Sequence, residues 1–269
     1  MIHRPSGVMN AAVFANLAVS MFFVVIVYFQ HESFKHKIFT LLSLLSGFLV
    51  IVASGTRSAW VSFLLLLWVY LYFLYKQKTK SNRISIIVLV VIIASILSVG
   101  SLQQYVNDRI HTAHTETSNW FSGEKTPSAI GDRLEMLRIA IDNVEDVPFF
   151  GHGYRTSNLV LFKNASSSIE KRVVSYNHLH NAYLTNFYNG GIVLLGALLL
   201  LLFVPLRIFI KAMSQNRDKP VFVAGALLTV GLASHGMFSV LFGDVFMNAF
   251  YVFFLAIFLL LTAKSTQAS

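Results

Sequence analysis

The sequence predicts an all-α polytopic membrane protein of about seven transmembrane helices, with one large, partly helical loop between the fourth and fifth. Three observations carry this reading. Only 12% of the 269 residues are charged and 55% are hydrophobic, whereas a soluble chain is about one-quarter charged. Uncharged runs cover 8–30, 38–54, 58–75, 84–102, 181–206, 220–243 and 245–263, and roughly 17–25 apolar residues cross a bilayer as a helix. No stretch alternates as barrel strands do, and unpaired backbone groups are too costly in lipid, so helices are the remaining solution.

The elements follow in order. The run 8–30 carries Asn10 and Asn16, polar residues of the kind that glue helices together in lipid. The runs 38–54 and 58–75 are joined by a very short hairpin, "SGTRSAW", which leaves Arg57 at or just inside one membrane face. The run 84–102 is the fourth helix. The segment 102–180 then holds nine acidic and eight Lys/Arg residues, and a loop of that length without structure of its own is unusual. Within it, Ile130, Leu134, Leu137 and Ile141 recur at helical spacing, which predicts an amphipathic helix over about 130–143 with its apolar stripe turned to the bundle. Asp132 and Glu135 read as its capping signal. "GHGY" at 151–154 predicts a tight turn; it lacks the Gly-Lys-Ser/Thr ending of a phosphate loop. The runs 181–206, 220–243 and 245–263 complete the set, the last two meeting at a turn near Asp244.

Charge sets the orientation. Eleven of the 21 Lys and Arg residues lie in 30–37, 76–83, 207–219 and the C-terminal tail, which makes that side cytoplasmic. The chain start, the Arg57 hairpin, 102–180 and the Asp244 turn then lie outside. The net charge of +9 reflects topology and predicts no nucleic-acid partner. The first run is too long for a cleavable signal, and with no cysteine thiol chemistry is excluded.

The candidate chemistry gathers outside. "SYNHLHNAYLTNFYNGG" places His178 and His180 before a long apolar run. A neutral imidazole accepts a proton near pH 7, and on an extended backbone the two rings share a face. The same pair reads as half a metal site, with His152 or a carboxylate completing it, or as structural. Arg57 reads either as a cation for an anionic substrate, since its planar fork suits phosphate, or as a side chain reaching out to lipid phosphates. Arg133 and Arg138 lie on the amphipathic segment, Arg155 follows the glycine turn, and Asp244 and His235 flank the last outer turn. Arg155, Asn181 and Asp244 are weaker, substrate-binding candidates.

Four stretches together resemble the O-antigen ligase family of bacterial inner-membrane proteins, with its related O-antigen polymerases and protein O-oligosaccharyltransferases. They are "RPSGVMNAAVFA", "SGTRSAW", "GDRLEMLRIAIDNVEDVPFFGHGY" and "HNAYLTNFYNGG", the last fitting His-Asn-x-x-Leu-x6-Gly at His180, Asn181, Leu184 and Gly191. The resemblance covers nearly the whole chain. Family members generally have more membrane helices, so the chain resembles a C-terminal portion, a product of an alternative start, or a shortened member. The resemblance implies a GT-C-like glycosyltransferase that moves O-antigen from undecaprenyl diphosphate to lipid A-core on the periplasmic side. The reaction inverts the anomeric centre and requires neither cofactor nor metal. It implies His180, Arg57 and Arg133 as catalytic, with His178 orienting its neighbour or the acceptor. A transporter is the alternative of a different class, and it predicts charges deep within the helices.

Overall fold

The computed structural model describes residues 9–29, 34–77, 86–87, 89–91, 93–94, 98, 100–124, 127–161, 173, 176, 178–215, 219–241 and 243–267. Among them there is no strand. The helices are α1 (Ala11–Phe29), α2 (Phe34–Ala53), α3 (Arg57–Gln77), α4 (Gly100–Phe121), α5 (Ala129–Asp142), α6 (Ser157–Leu161), α7 (Ala182–Gln215), α8 (Pro220–Gly236) and α9 (Val245–Gln267), with a 3-10 turn at Val144–Asp146.

Five of these, α1, α2, α3, α7 and α9, are long and apolar enough to cross a membrane. The uncharged runs predict seven spans; five are seen among the described residues. The run 84–102 lies largely outside the described residues. The run 220–243 is helical only as α8, 17 residues ending at Gly236, because an uncharged run marks apolarity and not helix length. Conversely, α7 contains Pro205 and continues past the expected end at 206 to Gln215, taking in Arg207 and Lys211. The segment expected to be loop from 102 onward begins with a 22-residue helix, α4. Among its half-buried positions, Tyr105, Val106, Arg109, Ala113, Glu116 and Trp120 do recur at helical spacing. Several are polar, so no apolar stripe announced them.

The chain divides into two compact units. The first comprises 1–106, 202–235 and 242–269. Its centre is α1, apolar all round, which packs on α2 and α3 and touches α9. Phe22, Phe23, Phe48, Phe63 and Tyr70 interlock there with ring centroids 5.2–6.2 Å apart, in the offset and edge-on geometries aromatic pairs prefer. Asn10 and Asn16 bond within their own helix instead of across helices. The Asn10 Oδ1 atom accepts the Ala12 amide at 2.8 Å, and the Asn16 amide donates to the Ala12 carbonyl at 2.8 Å. Interhelical bonding comes from serines: the Ser62 and Ser234 hydroxyls meet at 2.8 Å. Two further bonds join ends that the charge pattern assigns to one side. The Lys219 ammonium donates to the Ser265 carbonyl at 2.9 Å, and the Thr56 hydroxyl donates to that of Ala11 at 3.5 Å.

The second unit comprises 107–201 and 236–241. Met136, Ala140, Val173, Leu179 and Tyr188 form its core, flanked by Tyr176, Leu184 and Phe187. The Tyr188 hydroxyl donates to the Ala140 carbonyl at 2.7 Å, which satisfies a buried phenol. Helix α5 lies where the periodicity put it, but its cap and buried face differ. Ser128 is the cap, its hydroxyl accepting the Gly131 amide at 2.9 Å. Gly131, Asp132, Glu135, Met136 and Ala140 are buried, while Ile141 is 55% exposed. Carboxylates can face inward here because each has donors. Glu135 accepts from Trp120 Nε1 at 3.1 Å and from Arg138 Nη2 at 2.8 Å, and Asp132 accepts from the Tyr176 hydroxyl at 3.2 Å.

Candidate active site

The site is built from two adjoining pieces of the second unit, α5 and the loop that enters α7. Helix α5 contributes Asp132 and Arg133. The loop contributes Tyr176, His178 and His180, and Asn177 lies outside the described residues. The His178 and His180 ring centroids are 4.4 Å apart, and Tyr176 meets His180 edge-on at 5.3 Å. Asp132, Tyr176, His180 and His178 thus form a chain of contacts.

Local anchors explain why the loop holds this shape. Leu179 is buried, and its amide donates to the Thr185 hydroxyl at 3.1 Å. Asn181 caps α7: its Oδ1 accepts the Leu184 amide at 3.0 Å, its carbonyl accepts the Thr185 amide at 2.9 Å, and its Nδ2 donates to the Met237 carbonyl at 3.5 Å. Between these two fixed residues His180 adopts φ 50°, a left-handed conformation uncommon for a side-chain-bearing residue. The rings therefore meet through a left-handed backbone at His180. The Asn181 side chain, expected to bind substrate, is occupied in capping.

Electrostatics distinguish the pair. Burial, then the neighbouring His178, then the Arg133 guanidinium push His180 down to about 3. Burial and then Arg133 lower His178. Both imidazoles are consequently neutral at pH 7, and each can accept a proton or a hydrogen bond. Arg133 is half-buried and close enough to both rings to act on them.

The other candidates lie elsewhere. Arg155 is exposed at φ 61°, its guanidinium 5.4 Å from the centre of the Tyr154 ring. His152, considered as a third metal ligand, stacks on Tyr188 at 6.2 Å. Among the described residues no cluster of three or more His, Cys, Asp or Glu side chains could hold a metal. In the first unit, Arg57 opens α3 half-buried, after a turn in which Gly55 takes φ 59°. Trp60 Nε1 donates back to the Ile51 carbonyl at 3.0 Å and closes that hairpin. A cation at a helix N-terminus opposes the helix dipole, so helix stability does not explain Arg57. Asp244 caps α9, its Oδ1 accepting the Met247 amide at 3.0 Å, and His235 is buried in the last turn of α8.

The glycine turn proves structural. Helix α7 is broken at Gly190 and Gly191, which leaves carbonyls unpaired. The 149–153 loop supplies partners: His152 N–H to the Tyr188 carbonyl at 2.8 Å and Gly153 N–H to that of Asn189 at 2.9 Å, with Ile192 N–H donating to Phe149 in return at 3.2 Å. Gly151, at φ 70°, lies so close that an added Cβ would stand 2.5 Å from the Gly190 and Gly191 nitrogens. "GHGY" and "NGG" are two halves of one clamp. Sequence reading missed this coupling, along with Tyr176 and Thr185. The only signal was two glycine-rich motifs of unexplained purpose.

The O-antigen ligase family profile matches residues 39–201, a range containing Arg57, Arg133, Arg155, His178, His180 and Asn181 but not Asp244. An uncharacterised protein of Haemophilus influenzae is 22% identical over 206 residues, covering 75% of this chain and 51% of that protein. The chain thus spans about half the length of this curated relative. With the family match extending over more than half of its residues, this helical, multi-pass membrane chain belongs to the O-antigen ligase family.

Proposed function

We propose that the protein, with whatever further chain the whole molecule contains, transfers O-antigen polysaccharide from undecaprenyl diphosphate to a sugar hydroxyl of lipid A-core. The reaction runs on the periplasmic face of the bacterial inner membrane and inverts the anomeric centre without a metal. The observation that carries this reading is a neutral imidazole pair beside a guanidinium, half-buried at the mouth of a membrane helix. In this mechanism Arg133 holds the donor diphosphate. The acceptor oxygen forms a bond to the anomeric carbon while the bond from that carbon to the phosphate oxygen breaks. The electron pair leaves on the diphosphate, where a preorganised cation is worth several kcal/mol. The acceptor proton passes to His180, and His178 orients the hydroxyl. Arg57 enters as a second cation from its sequence motif and its position against the helix dipole.

A base held near 3 is weak, and general bases work best with a pKa near the operating pH. Bound donor relieves the smallest of the three causes: its negative charge offsets Arg133, so His180 gains proton affinity in the donor complex, while burial and His178 continue to hold it down.

The test is reconstitution with carrier-linked glycan and lipid A-core. Wild-type protein yields glycosylated lipid A-core. His180→Ala loses about 10²–10⁴-fold in rate, and Arg133→Ala raises the donor KM. Transfer that survives both changes at unaltered protein levels overturns the assignment. A product in which two carrier-linked chains are joined identifies the polymerase reaction instead, and glycosylation of a peptide acceptor identifies the protein O-oligosaccharyltransferase reaction.

A further inference from the structure

The loop clamped onto the break in α7 carries side chains that neither the clamp nor the proposed chemistry uses. Phe149 is 64% exposed, Phe150 73% and Tyr154 77%. The two phenylalanine rings pack edge-on at 5.0 Å, and the Arg155 guanidinium lies over Tyr154 at 5.4 Å. Three aromatic rings and one cation on a single turn form an unusual surface for water.

The depth of this turn follows from the helix that holds it. The first charge along α7 is Arg207. Counting back the roughly 20 residues that cross the hydrocarbon core reaches Phe187, so the break at Gly190–Gly191 lies within about one turn of the opposite hydrocarbon edge. The loop is fixed at that level by the backbone bonds of Phe149, His152 and Gly153 to Ile192, Tyr188 and Asn189. Just beyond the break, α7 also exposes apolar side chains: Ile192 and Val193 are each 49% exposed and Leu194 40%. At this level tyrosine and tryptophan concentrate in membrane proteins, because a ring with a polar edge suits the headgroup boundary. Arginine there finds phosphate oxygens in the geometry its fork prefers.

We propose that residues 149–155 are an interfacial anchor. Phe149, Phe150 and Tyr154 insert among the outermost acyl-chain segments of the leaflet, and Arg155 bonds to lipid phosphates. The clamp transmits this fixed height to α7, whose first turn follows His180. The anchor thereby sets the depth at which a lipid-borne hydroxyl meets the imidazole. It stands whether or not the glycosyl-transfer reading is correct, and its test needs no activity.

The chain has no cysteine, so single-cysteine variants take a nitroxide label without further engineering. Phe150→Cys and Tyr154→Cys are labelled in the 269-residue chain in nanodiscs of phosphatidylethanolamine and phosphatidylglycerol. Leu200→Cys on α7 serves as the deep reference and Glu145→Cys as the aqueous one. Collision with oxygen and with a water-soluble nickel chelate gives depth. The expected result is that labels at 150 and 154 collide more with oxygen than with nickel, at a depth between the two references. Nickel accessibility equal to that at 145 overturns the anchor by placing the loop in water. Shielding from both reagents also overturns it, because protein and not lipid then covers the surface.

Discussion

The Leu179 amide donates to the Thr185 hydroxyl at 3.1 Å, tying the residue before His180 to the first turn of the helix that follows. Thr185 is only 3% exposed and touches no substrate in the proposed mechanism. It is a positioning residue: it holds one side of a loop whose other side is held by the Asn181 cap, and His180 takes its left-handed backbone between them. Thr185→Val removes the acceptor at nearly constant volume. Misplacement of a catalytic group by about 1 Å costs on the order of 10²-fold. The expected outcome is a kcat reduced by about that factor with an unchanged donor KM, and recovery in Thr185→Ser. Steady-state kinetics on the three proteins checks it; a loss in KM alone contradicts the positioning role.

The histidine pair makes stability depend on pH. His180 folds with its pKa lowered to about 3 from an ordinary 6.5, and His178 is lowered as well. Below 6.5 the unfolded chain takes up protons that the folded chain refuses, so these groups destabilise the fold as pH drops from 6.5 towards 3 and contribute nothing above that window. The slope is at most about 1.4 kcal/mol per pH unit for each group. The doubly substituted His178→Gln/His180→Gln protein is expected to show a shallower fall in melting temperature between pH 6.5 and 4.5. Parallel curves for the two proteins refute the burial that lowers both rings.

Removing the Trp120 indole N–H leaves the fully buried Glu135 carboxylate short of one donor, with Arg138 remaining. A hydrogen bond to a charged group contributes about 1.5–3 kcal/mol. Trp120→Phe is therefore expected to lower stability by that amount, measured by denaturation in detergent. Glu135→Gln in the same background is expected to recover part of the loss, because the neutral amide demands less.

Much of this was legible in the sequence, and the parts that were not have a common cause. Uncharged runs located α1, α2, α3, α7 and α9 because lipid rewards unbroken apolarity. Helical spacing located α5 to within a residue at each end, and the motif at His180 pointed to the loop on which the candidate site is built. What escaped were the elements in which polar groups satisfy one another. Helix α4 shows no apolar stripe because Glu116 and Trp120 face inward with partners. The buried face of α5 was misassigned because Asp132 and Glu135 read as capping residues, whereas their donors, Tyr176 and Trp120, are 44 and 15 residues distant. Pairings at such separations leave no periodic trace. Asn181 and Asp244 show a role the sequence did not announce, since each polar residue at the start of an apolar run caps the helix that follows.

Glycine substitution tests the clamp between the 149–153 loop and α7. Gly191 has φ 60° and ψ −156°, a region essentially reserved for glycine, which costs about 1–3 kcal/mol when another residue is forced into it. A Cβ there would also run into the Phe149 carbonyl, which accepts the Ile192 amide. Gly191→Ala is thus expected to lose both the strain energy and the docking of the loop, with a clear fall in melting temperature and faster proteolysis at 149–155. Gly196, five residues on in the same helix, would place a Cβ in open space. Gly196→Ala is expected to be neutral or to gain up to about 1 kcal/mol, the helix preference of alanine over glycine. The contrast within one helix controls for a general intolerance of glycine replacement. Equal behaviour of the two variants would show that the break in α7 does not depend on the loop packed against it.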